Sequence, residues 1–313
     1  MSTAIEWCTE TWNPTRGCSP VSAGCLHCYA ERQAHRMNTS GEAYAGLTVL
    51  RDSGPKWNGQ VRMVPKMLSV PLRWRQPREV FVNSMSDLFH ESVPDGFIMD
   101  VWRVMAESPR HIFIILTKRA ERMHRWLSLW ADHAQPDVEP RLVRGAEATR
   151  EAHPTGRGRL FADMLDGWAV PPADSYFPTY DWQGGMRWLP TVLSNVVLGV
   201  TCENQPEADK RIHWLINCPA WLRIVSAEPL LSSIDIRKTL HLSPSPIHGV
   251  ICGGESGPRA RPMEVEWARS LRDQCVGAGV DFFFKQWGGV VKSRAGRLLD
   301  GQEWNDLPWR ARA

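Results

Sequence analysis

Short apolar runs recur along this chain at residues 80–82, 111–116, 196–200, 222–225, 248–252 and 280–284. Most are separated by stretches of helical periodicity, at 95–107, 119–129, 205–216 and 265–277. Continuous rather than alternating apolar strands, interleaved with helices, predict an α/β fold whose parallel sheet is covered on both faces, and six such units suit a barrel or partial barrel. Upstream, 5–7 reads as a short strand, 29–37 as a helix, 38–60 as loop and 61–64 as a strand before Pro65, with Glu79 to Asn83 the first firm strand.

The rhythm breaks between 130 and 190. That stretch carries Pro136, Pro140, Pro154, Pro171, Pro172 and Pro178 among many charges, with one short helical segment at 159–165. It reads as an irregular insertion, and because it follows a helix its expected place is peripheral. The chain then divides into a cysteine-motif segment (1–60), a first part of the barrel (61–129), the insertion (130–190), a second part of the barrel (191–290) and a tail (291–313). The tail, with Trp304 and Trp309 among polar residues, is expected to pack on the surface, its last four residues frayed.

Composition narrows the class. With 43% hydrophobic and 23% charged residues, the 313-residue chain is an ordinary globular sequence. It has no apolar run near the roughly 20 residues of a membrane span and no basic-then-apolar leader, so a cytoplasmic protein with no membrane partner is expected. Eight cysteines in that setting argue for metal or redox chemistry rather than disulfides. A net charge of +3 permits a nucleic-acid or nucleotide partner without arguing for one. The sixteen tryptophans fit a stacking surface, although packing is their commoner use.

Three cysteines fall in one loop as Cys18-x6-Cys25-x2-Cys28, with Pro20 and Gly24 breaking any regular element between them. Such thiols can converge on a soft metal. Two groups suit them. A structural zinc wants a fourth ligand, for which Cys8 or His27 is available; a [4Fe-4S] cluster on three cysteines keeps one iron open for a small molecule. Cys28 also lies at or near the start of the predicted helix, where the dipole favours thiolate.

Polar residues follow each predicted strand, and in parallel α/β folds ligands bind at that carboxyl rim. The rim candidates for ligand binding are Asn83, Ser84, Thr117, Thr201, Ser226, Gly253, Gly254, Glu255 and Gln286, with Tyr29 beside the last cysteine. Candidates for catalysis are Asp87, Lys118, Glu203, Glu228 and Lys285. Glu203 and Glu228 can hold ribose hydroxyls, act as acid and base, or pair with Lys118, Arg119 or Lys285 in a buried ion network. Asp87 and His90 can form a proton-transfer pair, or His90 can cap or pack. Gly253-Gly254 frees the backbone for close approach to a ligand or simply makes a tight turn, and Glu255 can accept from an ammonium group.

The chain resembles a phage- and prophage-associated three-cysteine-motif family of largely unassigned function, itself similar to radical S-adenosylmethionine (radical SAM) enzymes. The resemblance rests on Ile5-Glu6-Trp7, Thr11-Trp12-Asn13-Pro14, Gly17-Cys18, Gly24-Cys25, Cys28-Tyr29-Ala30-Glu31, the run from Val82 to His90, Leu116-Thr117-Lys118-Arg119, Leu198-Gly199-Val200-Thr201, Glu203-Asn204, Ser226 to Leu230, Gly253 to Gly257 and Phe284 to Gly288. These pieces cover most of the chain outside the insertion. The resemblance implies a partial (β/α)6 TIM-like barrel of the radical SAM type and a [4Fe-4S] cluster on Cys18, Cys25 and Cys28. It also implies S-adenosylmethionine on the open iron, cleaved reductively to a radical that takes hydrogen from a substrate. Two features depart from that pattern: the first cysteine interval is x6 where x3 is usual, and Gly253-Gly254-Glu255 follows a late strand where the superfamily's motif follows an early one.

The resulting expectation is a radical SAM-like enzyme acting on a nucleic acid or nucleotide, with an external electron donor and a separately encoded partner protein as its candidate partners. The alternative is a zinc-stapled nucleic-acid-binding or regulatory protein without turnover. A metal-dependent hydrolase is the poorest fit, because His90 has no companion ligand in the sequence.

Overall fold

The fold is taken from a computed structural model, which describes residues 3, 5–38, 43–128, 176–180, 186–190, 192–244 and 246–310. The strands are β1 (Glu10–Trp12), β2 (Thr15–Arg16), β3 (Thr48–Arg51), β4 (Gly54–Trp57), β5 (Arg62–Met63), β6 (Glu79–Val82), β7 (Ile112–Thr117), β8 (Tyr176–Tyr180), β9 (Met186–Pro190), β10 (Val196–Thr201), β11 (Leu222–Ala227), β12 (Gly249–Gly253) and β13 (Asp281–Gln286). The longer helices are α1 (Tyr29–Asn38), α2 (Asp95–Ala106), α3 (Ala120–Ser128), α4 (Gln205–Ile216) and α5 (Val265–Ala278).

Seven strands form one sheet in the order β1-β6-β7-β10-β11-β12-β13, every pair parallel. Neighbours in the sheet follow each other in the chain, so each crossover advances by one strand and the sheet curls into a half-barrel. The helical boundaries have local causes. Asn204 caps α4 by accepting the Glu207 N–H at 3.1 Å, with Pro206 in the first turn, and α5 ends on Gly279 at φ 66°. Among the described residues no helix is long and apolar enough to cross a membrane.

Side chains alternate between two apolar layers. Phe113, Ile115, Val196, Leu198, Val250, Phe282 and Phe284 face the helices, while Ile114, Val197, Leu222, Ile224, Ile251 and Phe283 face the concave side. The lower part of that concavity is filled by Trp7, Cys8, Leu307 and Trp309, all buried. Both ends of the chain therefore close the amino end of the half-barrel and leave its carboxyl end for other uses.

Four expectations are corrected. Residues 5–7 are not a strand: Trp7 drops into the floor, and the strand register begins at Glu10, paired with Val80. Residues 38–60 are not all loop, because Thr48-Val49-Leu50-Arg51 is a β-prone run before Asp52-Ser53-Gly54, and it folds back on β4 as an antiparallel hairpin. The tail packs on the surface as expected through most of 291–306, but it does not end there. Phe284 N–H donates to Trp304 O at 2.9 Å and Asp306 N–H to Phe282 O at 3.2 Å, so the tail covers the open edge of β13 before Trp309 enters the floor. Arg310 is not frayed, being paired with Glu79 at 2.8 Å. Of the insertion, β8 and β9 form an antiparallel pair, and the helix expected at 159–165 lies outside the described residues.

Candidate functional site

The period-two alternation that builds the floor also selects what faces the concavity at its carboxyl end. Continuing the concave-facing parity gives Asn83 after Phe81, Lys118 after Leu116, Thr201 and Glu203 after Val197, Ser226 and Glu228 after Ile224, Gly253 after Ile251 and Lys285 after Phe283. Most of the rim candidates share one wall, Ser84 and Gly254 being on the opposite parity. Thr117 and Gln286 also have the opposite parity, and Asp87 lies in the turn after β6.

Over this rim runs the cysteine loop, tied to one strand end after another. Glu203, fully buried, accepts the Gly24 N–H at 3.1 Å and the Arg211 guanidinium at 2.8 Å. Glu255 is held by Arg261 at 2.6 and 2.9 Å, and the same guanidinium donates to Ala23 O at 3.0 Å. Arg119 donates to Ser19 Oγ at 2.9 Å and Ser19 O at 3.2 Å, lies 3.9 Å from Cys18 Sγ and is fixed by Asp87 and Glu91. Asp87 spends its oxygens on Thr117 Oγ1, the Lys118 N–H, the Phe89 N–H and Arg119. The Ser92 N–H donates to His90 Nδ1, so the neutral ring carries its proton on Nε2 and donates it to Ser19 Oγ at 2.8 Å. Asp87 and His90 thus grip the same loop through different partners; the His90 N–H donates to Asp87 O at 3.1 Å, but their side chains do not bond to each other.

Below the loop, Lys285 pairs with Glu228 at 2.8 Å, and Ser226 Oγ donates to the same carboxylate at 3.2 Å. The pair spans β12 from β11 to β13. Gly253 permits this, since a Cβ there would meet Glu228 Oε1 at 3.1 Å and Lys285 Cβ at 3.4 Å. At Gly254 a Cβ would fall 1.9 Å from Trp287 O, which excludes any side chain. Tyr29 donates its hydroxyl to Ser84 O, Thr201 O accepts from Arg211 at 2.6 Å, and Gln286 Nε2 bonds Ser256 Oγ.

Charge settings follow from these contacts. Burial pushes the Glu203 carboxyl up, but Arg211 and the Gly24 N–H outweigh it and hold the group below its ordinary value. Burial likewise works against Glu255, and Arg261 reverses it. Burial acts to lower the Lys285 ammonium, and Glu228 raises it. Burial first, then Asp87, drives the Cys18 thiol up to about 12 against the pull of Arg119, with Cys28 and Cys25 adding to the rise. Cys28 is raised by burial and eased by the amides of Ala30 and Glu31, at the first turn of α1.

All three loop cysteines are free and half-buried, and Cys18 and Cys28 pack on the small cluster of Ala30, Ala34, Tyr44, Leu47, Trp57 and Met85. Cys8, the first candidate for a fourth thiolate, is buried in the floor with Trp7. Among the described residues, no three His, Cys, Asp or Glu side chains converge as a single metal ion requires. Arg211 and Arg261 were the residues sequence reasoning missed. Arg211 lies on the buried face of the helix that starts two residues after Glu203, whereas Arg261 had no periodic signal.

Fold and site together define a class: a parallel α/β half-barrel whose carboxyl rim is roofed by a loop of three free cysteines. The chain belongs to the family described as Protein of unknown function (DUF5131), whose profile matches residues 2–308. No curated protein and no solved structure matches it.

Proposed function

We propose that this protein is a radical SAM-like enzyme, with a [4Fe-4S] cluster held by Cys18, Cys25 and Cys28 and S-adenosylmethionine bound beneath it on the concave wall of a TIM-like partial barrel. The observation that carries the reading is the position of the loop: three free thiols lie over the carboxyl rim of a parallel half-barrel, above a polar wall and an apolar floor. The donor set suits such a group. Cys8, one of the two candidates for a fourth ligand, is in the floor, and an iron-sulfur core of several atoms accepts thiolates that do not meet at one point. A structural zinc needs four convergent ligands.

Cys18, Cys25 and Cys28 would hold the group, and the chemistry it would supply when bound is one-electron reductive cleavage of S-adenosylmethionine coupled to hydrogen abstraction from the substrate. The chain's own residues do the rest. Arg119 sets a positive charge 3.9 Å from Cys18, which favours its thiolate. Glu203, Glu255 and Asp87 act as positioning residues: Glu203 ties the loop to β10 directly through the Gly24 N–H, Glu255 ties it to β12 through Arg261, and Asp87 ties it to β6–β7 through Arg119. Glu255 has both oxygens on Arg261, so it is engaged in holding the loop in this late-strand position. Glu228 and Lys285, with side chains 14% and 18% exposed, remain as the proton-carrying pair facing the concavity. Nucleic acid or nucleotide is the proposed substrate, which the modest positive charge permits, with an external donor for the electron.

The test is anaerobic incubation of reconstituted protein with S-adenosylmethionine and dithionite, following 5'-deoxyadenosine. Formation of that nucleoside, lost in Cys18→Ala, Cys25→Ala and Cys28→Ala, is the expected result. Protein that carries iron and sulfide yet never cleaves S-adenosylmethionine overturns the activity.

A further inference from the structure

The charges of the concave wall do not balance. Each carboxylate there already has its cation: Glu203 with Arg211 at 2.8 Å, Glu228 with Lys285 at 2.8 Å, and Glu255 with Arg261 at 2.6 Å. Lys118 is the exception. Its ammonium makes no ion pair and no hydrogen bond among the described residues, and only its backbone N–H is engaged, by Asp87. It is half-buried, and it stands close enough to the roof and the wall to favour the charged forms of both Cys28 and Glu203.

A second unmet donor stands on the neighbouring strand. Asn83 is 2% exposed, takes the Thr15 N–H on Oδ1 at 3.4 Å and leaves its Nδ2 without an acceptor among the described residues. Its backbone is held at φ 59°, a left-handed conformation that asparagine tolerates better than most residues and that recurs at ligand sites. The register Val82↔Ile115 sets Asn83 beside Leu116, one concave-facing position before Lys118. An ammonium and an amide N–H, both lacking acceptors on adjacent strands, call for an acceptor with negative charge.

We propose that Lys118 and Asn83 form an oxyanion site that holds a carboxylate or phosphate group of the bound ligand against the β6–β7 end of the wall. The pair of donors is a property of the folded chain alone. That its occupant is the carboxylate of S-adenosylmethionine or a phosphate of the substrate rests on the function proposed above.

Calorimetry on the full chain, with and without reconstituted iron and sulfide, tests this with two matched pairs of probes. The pairs are S-adenosylmethionine against its decarboxylated form, and deoxyadenosine 5'-monophosphate against deoxyadenosine. In at least one pair the anionic member should bind about tenfold or more tighter. Lys118→Gln should abolish that difference, Lys118→Arg retain most of it, and Asn83→Asp weaken the anionic member selectively. The discriminating pair names the source: the first a cofactor carboxylate, the second a substrate phosphate. Lys118 is half-buried and has no ion-pair partner among the described residues, so its variants keep the wild-type unfolding midpoint and decide the question even if Asn83→Asp folds poorly. Equal binding within both pairs, no binding of any probe, or a difference untouched by Lys118→Gln overturns the site. A chain that binds no iron but discriminates the probes would sink the cluster and leave the oxyanion site standing.

Discussion

Glu203 carries two jobs in one carboxylate. With Arg211 it forms an ion pair in which both side chains are almost wholly buried, and its other oxygen holds the Gly24 N–H of the cysteine loop. Removing one partner of such a pair costs about 3–5 kcal/mol, and Glu207, 2.6 Å from Arg211, brings the expectation for Glu203→Ala to about 3 kcal/mol. Urea unfolding measures it, and a loss below about 1 kcal/mol would show that the strap does not bear on the fold. At Gly254 the obstacle is backbone. Gly254→Ala must displace the Trp287 carbonyl, so it should lower the unfolding midpoint far more than Gly277→Ala, where nothing stands within 4 Å. Equal effects of the two substitutions would contradict the close packing of the β12 and β13 ends.

Residue roles were only partly legible. That polar side chains gather after six strands could be read from the runs themselves, and parity, applied strand by strand, would have separated Lys118 and Glu203 from Thr117 and Gln286. What each carboxylate bonds could not be read. Glu255 meets Arg261 only because the chain turns back after β12, and Asp87 meets Arg119 only because β6 and β7 are adjacent.

At the scale of elements, the cysteine loop has one short 3-10 turn of its own, Ala23–Cys25, with the Cys25 N–H on Ser22 O at 3.0 Å, where Gly24 was expected to prevent any regular element, and straps from β6, β7, β10 and β12 set where it lies. Those straps depend on pH. Burial holds His90 below the ordinary 6.5, with Arg119 adding to the effect, and burial also lowers His111 and His124. The folded state refuses protons that the unfolded chain accepts, so stability should fall as pH drops below about 6.5. Glu203, Glu255 and Glu91 are held below 4.5, so their contribution is present above that value and is lost as pH falls through their lower folded values. Urea midpoints at pH 7.5, 5.5 and 4.5 should decline in that order, with His90→Gln reducing the first step; greater stability at pH 5.5 than at 7.5 would contradict the assignment. The major helices were legible to within about one residue because each has a clear apolar face or a cap. The β3–β4 hairpin was not, since Gly, Ser and Asn around it hid a four-residue strand.

At the scale of the molecule, the half-barrel is polarised along its strands. Its amino end is sealed by residues from both ends of the chain, and its carboxyl end is roofed by the cysteines. Trp309, fully buried between the floor strands, is the test of that seal: Trp309→Ala should cost about 3–5 kcal/mol, read by urea unfolding, where a surface tail would cost nearly nothing. Sequential strand order was legible from the strand-helix rhythm, while the closure by the tail was not, because residues 304–309 alternate in no regular pattern.

The central claim is that the roof holds an iron-sulfur cluster. The measurement that tests it most directly is iron, sulfide and zinc analysis of anaerobically reconstituted protein, with its absorption spectrum, beside Cys18→Ala, Cys25→Ala and Cys28→Ala. We expect about four irons and four sulfides per chain, with visible absorbance lost in each variant. Zinc at about one per chain, with no iron retained after reconstitution, would contradict it and leave the three cysteines as a structural metal site.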